Sequence, residues 1–387
     1  MDKAERGIRR KGEERLYRSP SHDDSIEPDR VSPAIEGYFR LPAIWVGTKP
    51  EDSSVRVLNP DIHHQRIIKK NLRCGVNVEV YRDGRFMFEF SHWPLAPIVT
   101  IPGYSKPDPP YPHRPPIEHG QKGNEAENHA ITRAQAMNVH QACLATAETV
   151  VKNRSAMMGF PVTAWNTLKA VGFNVPVSYA DDSEDMHALA RNVLNNSYKI
   201  PREKPIPRRV IEKEVVEYSL ELFDNILIQN DLPLIQIVEA GFLSACRIRD
   251  KRYGEALTLA WAACEQLISI AWKEMIESSE SEGTKLPRNR KKKLTGRDFT
   301  ASVMIEMLEL NRRIDPALYE LLENTRKARN KWAHEMESPN SIVANSSIKT
   351  FEELLGKIKG VKIKLQTGGR GGVPQWPIWI YEGIRKK

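Results

Sequence analysis

The chain has 387 residues, of which 40% are hydrophobic, and its formal net charge at pH 7 is +8. This length exceeds what one hydrophobic core usually supports, so two domains joined by linkers are expected. The longest apolar run, residues 256–271, is interrupted by Glu265 and Gln266, which excludes a membrane-spanning helix there, and the N-terminal stretch lacks the apolar segment of a secretory signal.

Residues 1–27 are polar and charged without periodicity, which predicts a mobile arm, and residues 28–199 are expected to form an α/β module with a small antiparallel sheet. The clearest strand signal is GVNVEVYRDGRFMFEF at 75–90, where valines and then phenylalanines alternate with other residues on either side of Asp83-Gly84. This pattern is typical of a β-hairpin. Shorter strand candidates lie at 38–46 and 96–101.

Two proline-rich stretches divide the chain. Residues 104–120 are expected to be an extended connector between the strands and an alanine-rich helix that begins near Asn124. Residues 200–209, IPREKPIPRR, are the expected domain boundary.

The C-terminal half has helical periodicity almost throughout, and its short connections predict an antiparallel bundle over residues 206–360. A glycine-rich tail with a terminal strand is expected at 361–387, so the predicted fold class is α+β. The helices are predicted at about 210–229, 233–250, 252–277, 298–311, 316–336 and 346–359.

The helix predicted at 316–336 has an arginine within its apolar stripe. At about 100° per residue, Arg329 lies only about 20° from Leu318 around the helix axis. An unpaired guanidinium is costly to bury, so an acidic partner is expected. The predicted partner is Glu265, an acidic residue in the most apolar helix of the chain.

A histidine follows the arginine on a different face. On a straight α-helix, His334 points about 140° away from Arg329, and Asn330 lies about 40° from His334. Two arrangements would bring the histidine and the arginine together: the helix frays before Glu335 and Pro339, which lets His334 turn back, or a second copy of the helix completes the site across a two-fold axis. The alternative is a surface histidine next to an arginine that is paired only for architecture.

The stretch Arg329-Asn330-Lys331-Trp332-Ala333-His334 resembles the motif of HEPN domains, the "higher eukaryotes and prokaryotes nucleotide-binding" helical bundles. The pattern is an arginine, a polar residue, three variable residues and a histidine near the end of a late helix. The resemblance covers about residues 206–360, and Glu265 matches the acidic residue that the family often carries on an earlier helix.

The resemblance implies metal-independent RNA cleavage at the interface of a homodimer. His334 would take the proton of a ribose 2′-hydroxyl, and Arg329 would stabilise the charge that develops on the attacked phosphate. Glu265 would hold the guanidinium, and Asn330 would position the phosphate or orient the imidazole. Lys331 and Arg326 are candidate phosphate contacts.

A basic segment precedes the motif. Between Glu280 and His334 there are 13 lysines or arginines against 8 acidic residues, and the densest part is the predicted loop 285–298. Such a concentration favours a polyanionic partner such as RNA, although a charged run is often only a solvated surface. The candidate RNA-binding residues there are Arg288, Arg290, Lys291, Lys292 and Lys293.

Other clusters are weaker candidates for chemistry. The acidic stretch 181–187 fits a helix N-terminus, His63-His64 lie adjacent in a polar loop, and His129 and His140 share one helical face, which favours packing over ligation. No metal site or cofactor site is predicted.

The four cysteines are Cys74, Cys143, Cys246 and Cys264, and their wide spacing indicates a reducing compartment without a disulfide framework, so a cytoplasmic location is expected.

Three functional hypotheses follow. The first is an endoribonuclease that acts as a toxin or in antiphage defence, with the N-terminal module sensing a trigger or restraining the nuclease. The second is a catalytically inactive helical module that binds nucleotide, RNA or a protein partner. The third is a structural protein whose bundle only mediates assembly.

Overall fold

The computed structural model describes residues 35–39, 44–48, 65–96, 121–155, 158–164, 167–170, 178–179, 209–281, 286–294, 296 and 299–365. Its class is α+β, as the sequence predicts, with the strands in the N-terminal part and most helices in the C-terminal half. None of the helices in these ranges is both long and apolar enough to cross a membrane.

Six strands form an antiparallel sheet in the order β3-β4-β5-β1-β6-β7. The predicted hairpin at 75–90 is confirmed as β4 and β5, in which Val78 lies opposite Phe88 and Val80 opposite Phe86. A separate parallel pair joins β2 to β8. The strands are β1 Ile35–Phe39, β2 Ile44–Val46, β3 Arg66–Asn71, β4 Asn77–Tyr81, β5 Arg85–Glu89, β6 Leu168–Ala170, β7 Ser178–Tyr179 and β8 Arg209–Ile211.

The hairpin turn depends on its glycine and its aspartate. Gly84 has a φ of 86°, in the left-handed region that glycine adopts without a steric penalty. The Asp83 carboxylate accepts a hydrogen bond of 2.8 Å from Nε of Arg85, which holds the start of β5 against the turn.

Helix α1, Gln121–Lys152, packs against both the sheet and the helical bundle. His140 on α1 is fully buried, and its ring contacts Phe88 of the sheet at a centroid distance of 5.3 Å and Phe223 of the bundle at the same distance. The hydroxyl of Tyr38 lies 2.6 Å from Nδ1 of His140. Side chains that precede residues 200–209 in the sequence and side chains that follow them therefore belong to one buried cluster.

The described residues after α1 contain seven α-helices, namely α2 Lys213–Leu227, α3 Leu232–Arg249, α4 Tyr253–Ser281, α5 Arg288–Leu294, α6 Ala301–Leu310, α7 Pro316–Asn330 and α8 Ser341–Lys359. Side-chain caps set several of their starts. The Asp231 carboxylate accepts from the backbone N–H of Leu234 at 3.1 Å, and Asp315 accepts from Leu318 at 2.9 Å.

Helix α8 begins five residues earlier than the predicted 346. Asn340 is responsible, because its side-chain oxygen accepts hydrogen bonds of 3.0 Å from the backbone N–H groups of Ile342 and Val343. These bonds satisfy donors in the first turn that no residue within the helix can satisfy.

Some sequence predictions lie outside the described residues. They are the arm 1–27, the strand candidate 96–101 beyond Ala96, the connector 104–120, His63-His64, the acidic stretch 181–187, and the tail from residue 366 onward with its terminal strand.

Candidate functional site

The motif lies where α7 changes its geometry. After Asn330 the chain forms a π-helical turn, Lys331–Glu335. This turn ends at Met336, whose φ of 55° and ψ of 24° are left-handed. The backbone N–H of Met336 bonds to the carbonyl of Lys331, which is the i→i+5 pattern of a π-turn. Regular α-helical geometry therefore ends at Asn330, and the segment that follows is an ordered π-turn instead of the frayed end that was expected.

The π-turn changes the direction of His334. In a turn closed by an i→i+5 bond each residue advances by roughly 80° instead of 100°. Two α-helical steps of about 100° followed by three of about 80° put His334 about 80° from Arg329 around the axis instead of about 140°. The π-turn thus reduces the angular separation of His334 and Arg329 within a single chain.

Trp332 attaches this turn to the first turn of α4. A Cβ built on Gly254 would lie 2.4 Å from Cε2 of Trp332 and 2.5 Å from its Cζ2. Only a residue without a side chain allows the indole to approach the α4 backbone this closely. The Gly254 and Trp332 contact fixes the motif at the N-terminal end of α4.

The predicted ion pair between Arg329 and Glu265 is wrong. No salt bridge of 4.0 Å or less joins them, although both residues lie within the described ranges. Trp332 contacts α4 at Gly254, and at 1.5 Å per residue Glu265 lies about 16 Å further along the α4 axis than that contact. Glu265 is half-buried there.

Arg329 does not require a buried acidic partner, because the apolar stripe of α7 is buried only in the part of the helix that precedes Arg329. Leu318 and Leu322 are buried, whereas Arg329 is half-buried and Met336 is 71% exposed. The guanidinium donates from Nη1 to Oδ1 of Asn330 at 3.1 Å. This bond holds two motif side chains together at the surface.

His334 is solvent-exposed in the same surface. Within the described part of the chain, no side chain or backbone group lies within hydrogen-bonding distance of its imidazole. No residue in the described ranges therefore orients this ring.

The sequence analysis did not identify Glu323, a buried acid on the motif helix itself. Glu323 is only 8% exposed and accepts two bonds of 2.8 Å from Nε and Nη2 of Arg326. The Arg326 guanidinium holds the pKa of the Glu323 carboxyl below its usual range. The i,i+3 spacing of Glu323 and Arg326 on one helix was a signal that could have found this pair.

Two predicted phosphate contacts thus already have acidic partners. Arg326 pairs with Glu323, and Nζ of Lys331 lies 3.5 Å from the Glu337 carboxylate. Lys331 and Glu337 are both well exposed, so that pair is weak and can exchange for a phosphate. The pair that Arg326 makes is partly buried and bidentate, which makes Arg326 the poorer candidate.

The basic segment is not the loop that its composition predicts. Residues Arg288–Leu294 form helix α5. Nε1 of Trp272 on α4 donates to the carbonyl of Leu294 at 2.8 Å, and the Trp272 ring stacks on Phe299 at 5.2 Å. These contacts hold α5 against the C-terminal part of α4.

The chain matches no protein-family model, no curated protein and no solved structure in the comparisons made with each. A functional assignment therefore depends on the arrangement of Arg329, Asn330 and His334 and on the charges around them.

Proposed function

We propose that the chain is a metal-independent endoribonuclease of the HEPN type. The observation that supports the proposal is the π-turn Lys331–Glu335, which follows directly on the hydrogen-bonded pair Arg329 and Asn330 and reduces the angle between His334 and Arg329 around the helix axis. π-Turns within helices occur frequently at functional sites. A proton acceptor next to a guanidinium is the pair that cleavage through the ribose hydroxyl requires.

The reaction needs no metal or cofactor. The 2′-oxygen attacks the adjacent phosphorus while His334 takes the 2′-hydroxyl proton, and the bond from phosphorus to the 5′-oxygen breaks. The leaving 5′-oxygen takes a proton from water or from His334 of a second copy, and the products are a 2′,3′-cyclic phosphate and a 5′-hydroxyl. Arg329 stabilises the extra negative charge on the phosphate oxygens.

A homodimer fits this chemistry because the motif of one chain carries a single imidazole, whereas cleavage uses both a proton acceptor and a proton donor. Two copies of the π-turn would contribute two imidazoles and two guanidinium groups to one cleft. The biological role that follows from the resemblance is a toxin or an antiphage effector. The N-terminal sheet would bind the molecule that triggers activity, because α1 packs the core of the sheet against the helical bundle.

One observation favours the alternative, a catalytically inactive module that binds nucleotide, RNA or a protein partner. Neither Glu265 nor any other described acid pairs with Arg329, and no described group orients His334. An arginine and an amide that bond to each other form a binding surface without any catalytic step.

Cleavage of RNA by the purified chain in excess chelator tests the proposal. Arg329→Ala and His334→Ala are each expected to lower the rate by about 100-fold or more. Lys349→Ala is the matched control, since Lys349 is an exposed cation on α8 outside the motif. Cleavage that persists in both motif variants, or is absent from the wild type while RNA still binds, would favour the binding module.

The size of the assembly in solution completes the test. A dimer whose cleavage rate per chain falls on dilution supports a composite cleft, whereas a fully active monomer contradicts it.

A further inference from the structure

Helix α5 presents a compact group of cations to solvent. Arg288, Arg290 and Lys293 are exposed, and none of the three forms an ion pair with any described residue. Lys291 differs, because its Nζ lies 2.7 Å from the Glu280 carboxylate of α4. Three positive charges within six residues thus have no acidic partner among the residues that the structure describes.

Like charges at this spacing repel each other and disfavour an isolated helix. The contacts with α4 oppose that repulsion, because Trp272 holds the backbone at Leu294 and Glu280 holds Lys291. The cations are therefore displayed from a fixed backbone instead of a free loop. Unpaired cations spread around a fixed helix fit an extended polyanion better than they fit a single small anion.

Helix α5 and the motif lie at opposite ends of α4. The motif contacts α4 at Gly254 through Trp332, whereas α5 contacts it at Trp272 and Glu280. At 1.5 Å per residue, the contacts at Gly254 and Trp272 are about 27 Å apart along the axis, and those at Gly254 and Glu280 about 39 Å. One phosphate group therefore cannot touch both places.

We propose that α5 is a remote anchor for the RNA backbone, so that the substrates are strands long enough to reach from α5 to the motif. The proposal rests on the endoribonuclease function proposed above. At about 3.4 Å per nucleotide of stacked strand, the shorter span of about 27 Å corresponds to about eight nucleotides. RNA below that length meets the motif alone, and longer RNA also gains the contacts of α5.

The test uses the full chain, the triple variant Arg288→Ala/Arg290→Ala/Lys293→Ala and a charge-matched control, Lys349→Ala/Lys357→Ala/Lys362→Ala. The control removes three exposed cations from α8 and the segment after it. The probes are single-stranded RNAs of roughly 4, 8, 16 and 30 nucleotides, as cleavable RNA and as fully 2′-O-methylated RNA that cannot be cleaved. Cleavage gives kcat and KM, and fluorescence anisotropy gives Kd at several salt concentrations.

For the two longer probes, the α5 variant is expected to weaken binding about 10- to 50-fold near physiological salt and to reduce the slope of log K against log salt by about 2. For the same probes, the KM of the α5 variant should rise by a similar factor while kcat stays unchanged. Both variants should bind and cleave the shortest probe as the wild type does. The control should retain the length dependence of the wild type.

Three results would overturn the anchor: equal losses on short and long probes, no loss on long probes, or the same loss in the control. A failure of the nuclease function is recognisable separately. In that case no probe is cleaved, yet the methylated long probes still lose affinity only in the α5 variant, which leaves α5 as an RNA-binding surface.

Discussion

Replacing Gly254 by alanine tests the contact that attaches the motif to α4. The added methyl carbon would lie 2.4 Å from Cε2 of Trp332, so the indole must move by about 1 Å to reach an ordinary contact distance. Overpacking of this kind costs about 1 to 3 kcal/mol, and the better helix propensity of alanine returns about 0.5 to 1 kcal/mol. The net expectation is a loss of about 1 to 2 kcal/mol in the free energy of unfolding.

Gly356→Ala is the matched control. The nearest atom to a Cβ at Gly356, a residue of α8, is the carbonyl oxygen of Val361 at 3.9 Å, so the methyl group fits without strain. This substitution is expected to stabilise the chain by up to about 1 kcal/mol.

Urea unfolding followed by circular dichroism measures both variants, and RNA cleavage measures the effect on the motif. Gly254→Ala should also lower cleavage, because the displaced indole moves the π-turn. In a double-mutant cycle, Trp332→Leu should remove most of the penalty at Gly254, with a coupling of about 1 to 2 kcal/mol. If Gly254→Ala is as stabilising as Gly356→Ala, the described packing of Trp332 on α4 is incorrect.

Two further predictions concern charge and burial. Arg326→Ala should cost about 1 to 2 kcal/mol, since it leaves Glu323 without its bidentate partner. The paired carboxyl has a lowered pKa in the folded state, so this stabilisation is present above the unfolded pKa of about 4.3 and is lost as the pH falls through the folded pKa. Urea unfolding at pH 7 and at pH 3 should therefore separate wild type and variant more at pH 7, and an equal separation would contradict the pair. The four cysteines should not react with a thiol reagent at pH 8 in the native chain, because all are buried and burial raises the pKa of Cys143, Cys264 and, to about 12, Cys74. A spectroscopic thiol count should rise to four only in denaturant, and rapid labelling of the native chain would argue against the described core.

The sequence predicted the elements whose signals are local. The hairpin at 75–90 was predictable because Asp83-Gly84 stands between two alternating apolar runs. The start of α7 follows from Asp315 and Pro316, a side-chain cap followed by a residue that needs no N–H donor.

The arrangement of the site was not predictable in the same way. The pairing of Arg329 with Glu265 assumed that two helices meet in register, but their axial offset depends on the packing of Trp332 on Gly254. Helix α5 has a composition that opposes a helix, and it exists because Trp272 contacts Leu294 from another element. The left-handed Met336 has no sequence signal, since a methionine rarely adopts that conformation.

The buried position of His140 has a thermodynamic consequence. The imidazole packs on Phe88 in one half of the chain and on Phe223 in the other, so neither half can unfold without exposing apolar surface of its neighbour. The two halves are thus expected to melt in a single transition. A molecule that attaches to the sheet would therefore raise the melting temperature of the whole protein, the bundle that carries Arg329 included.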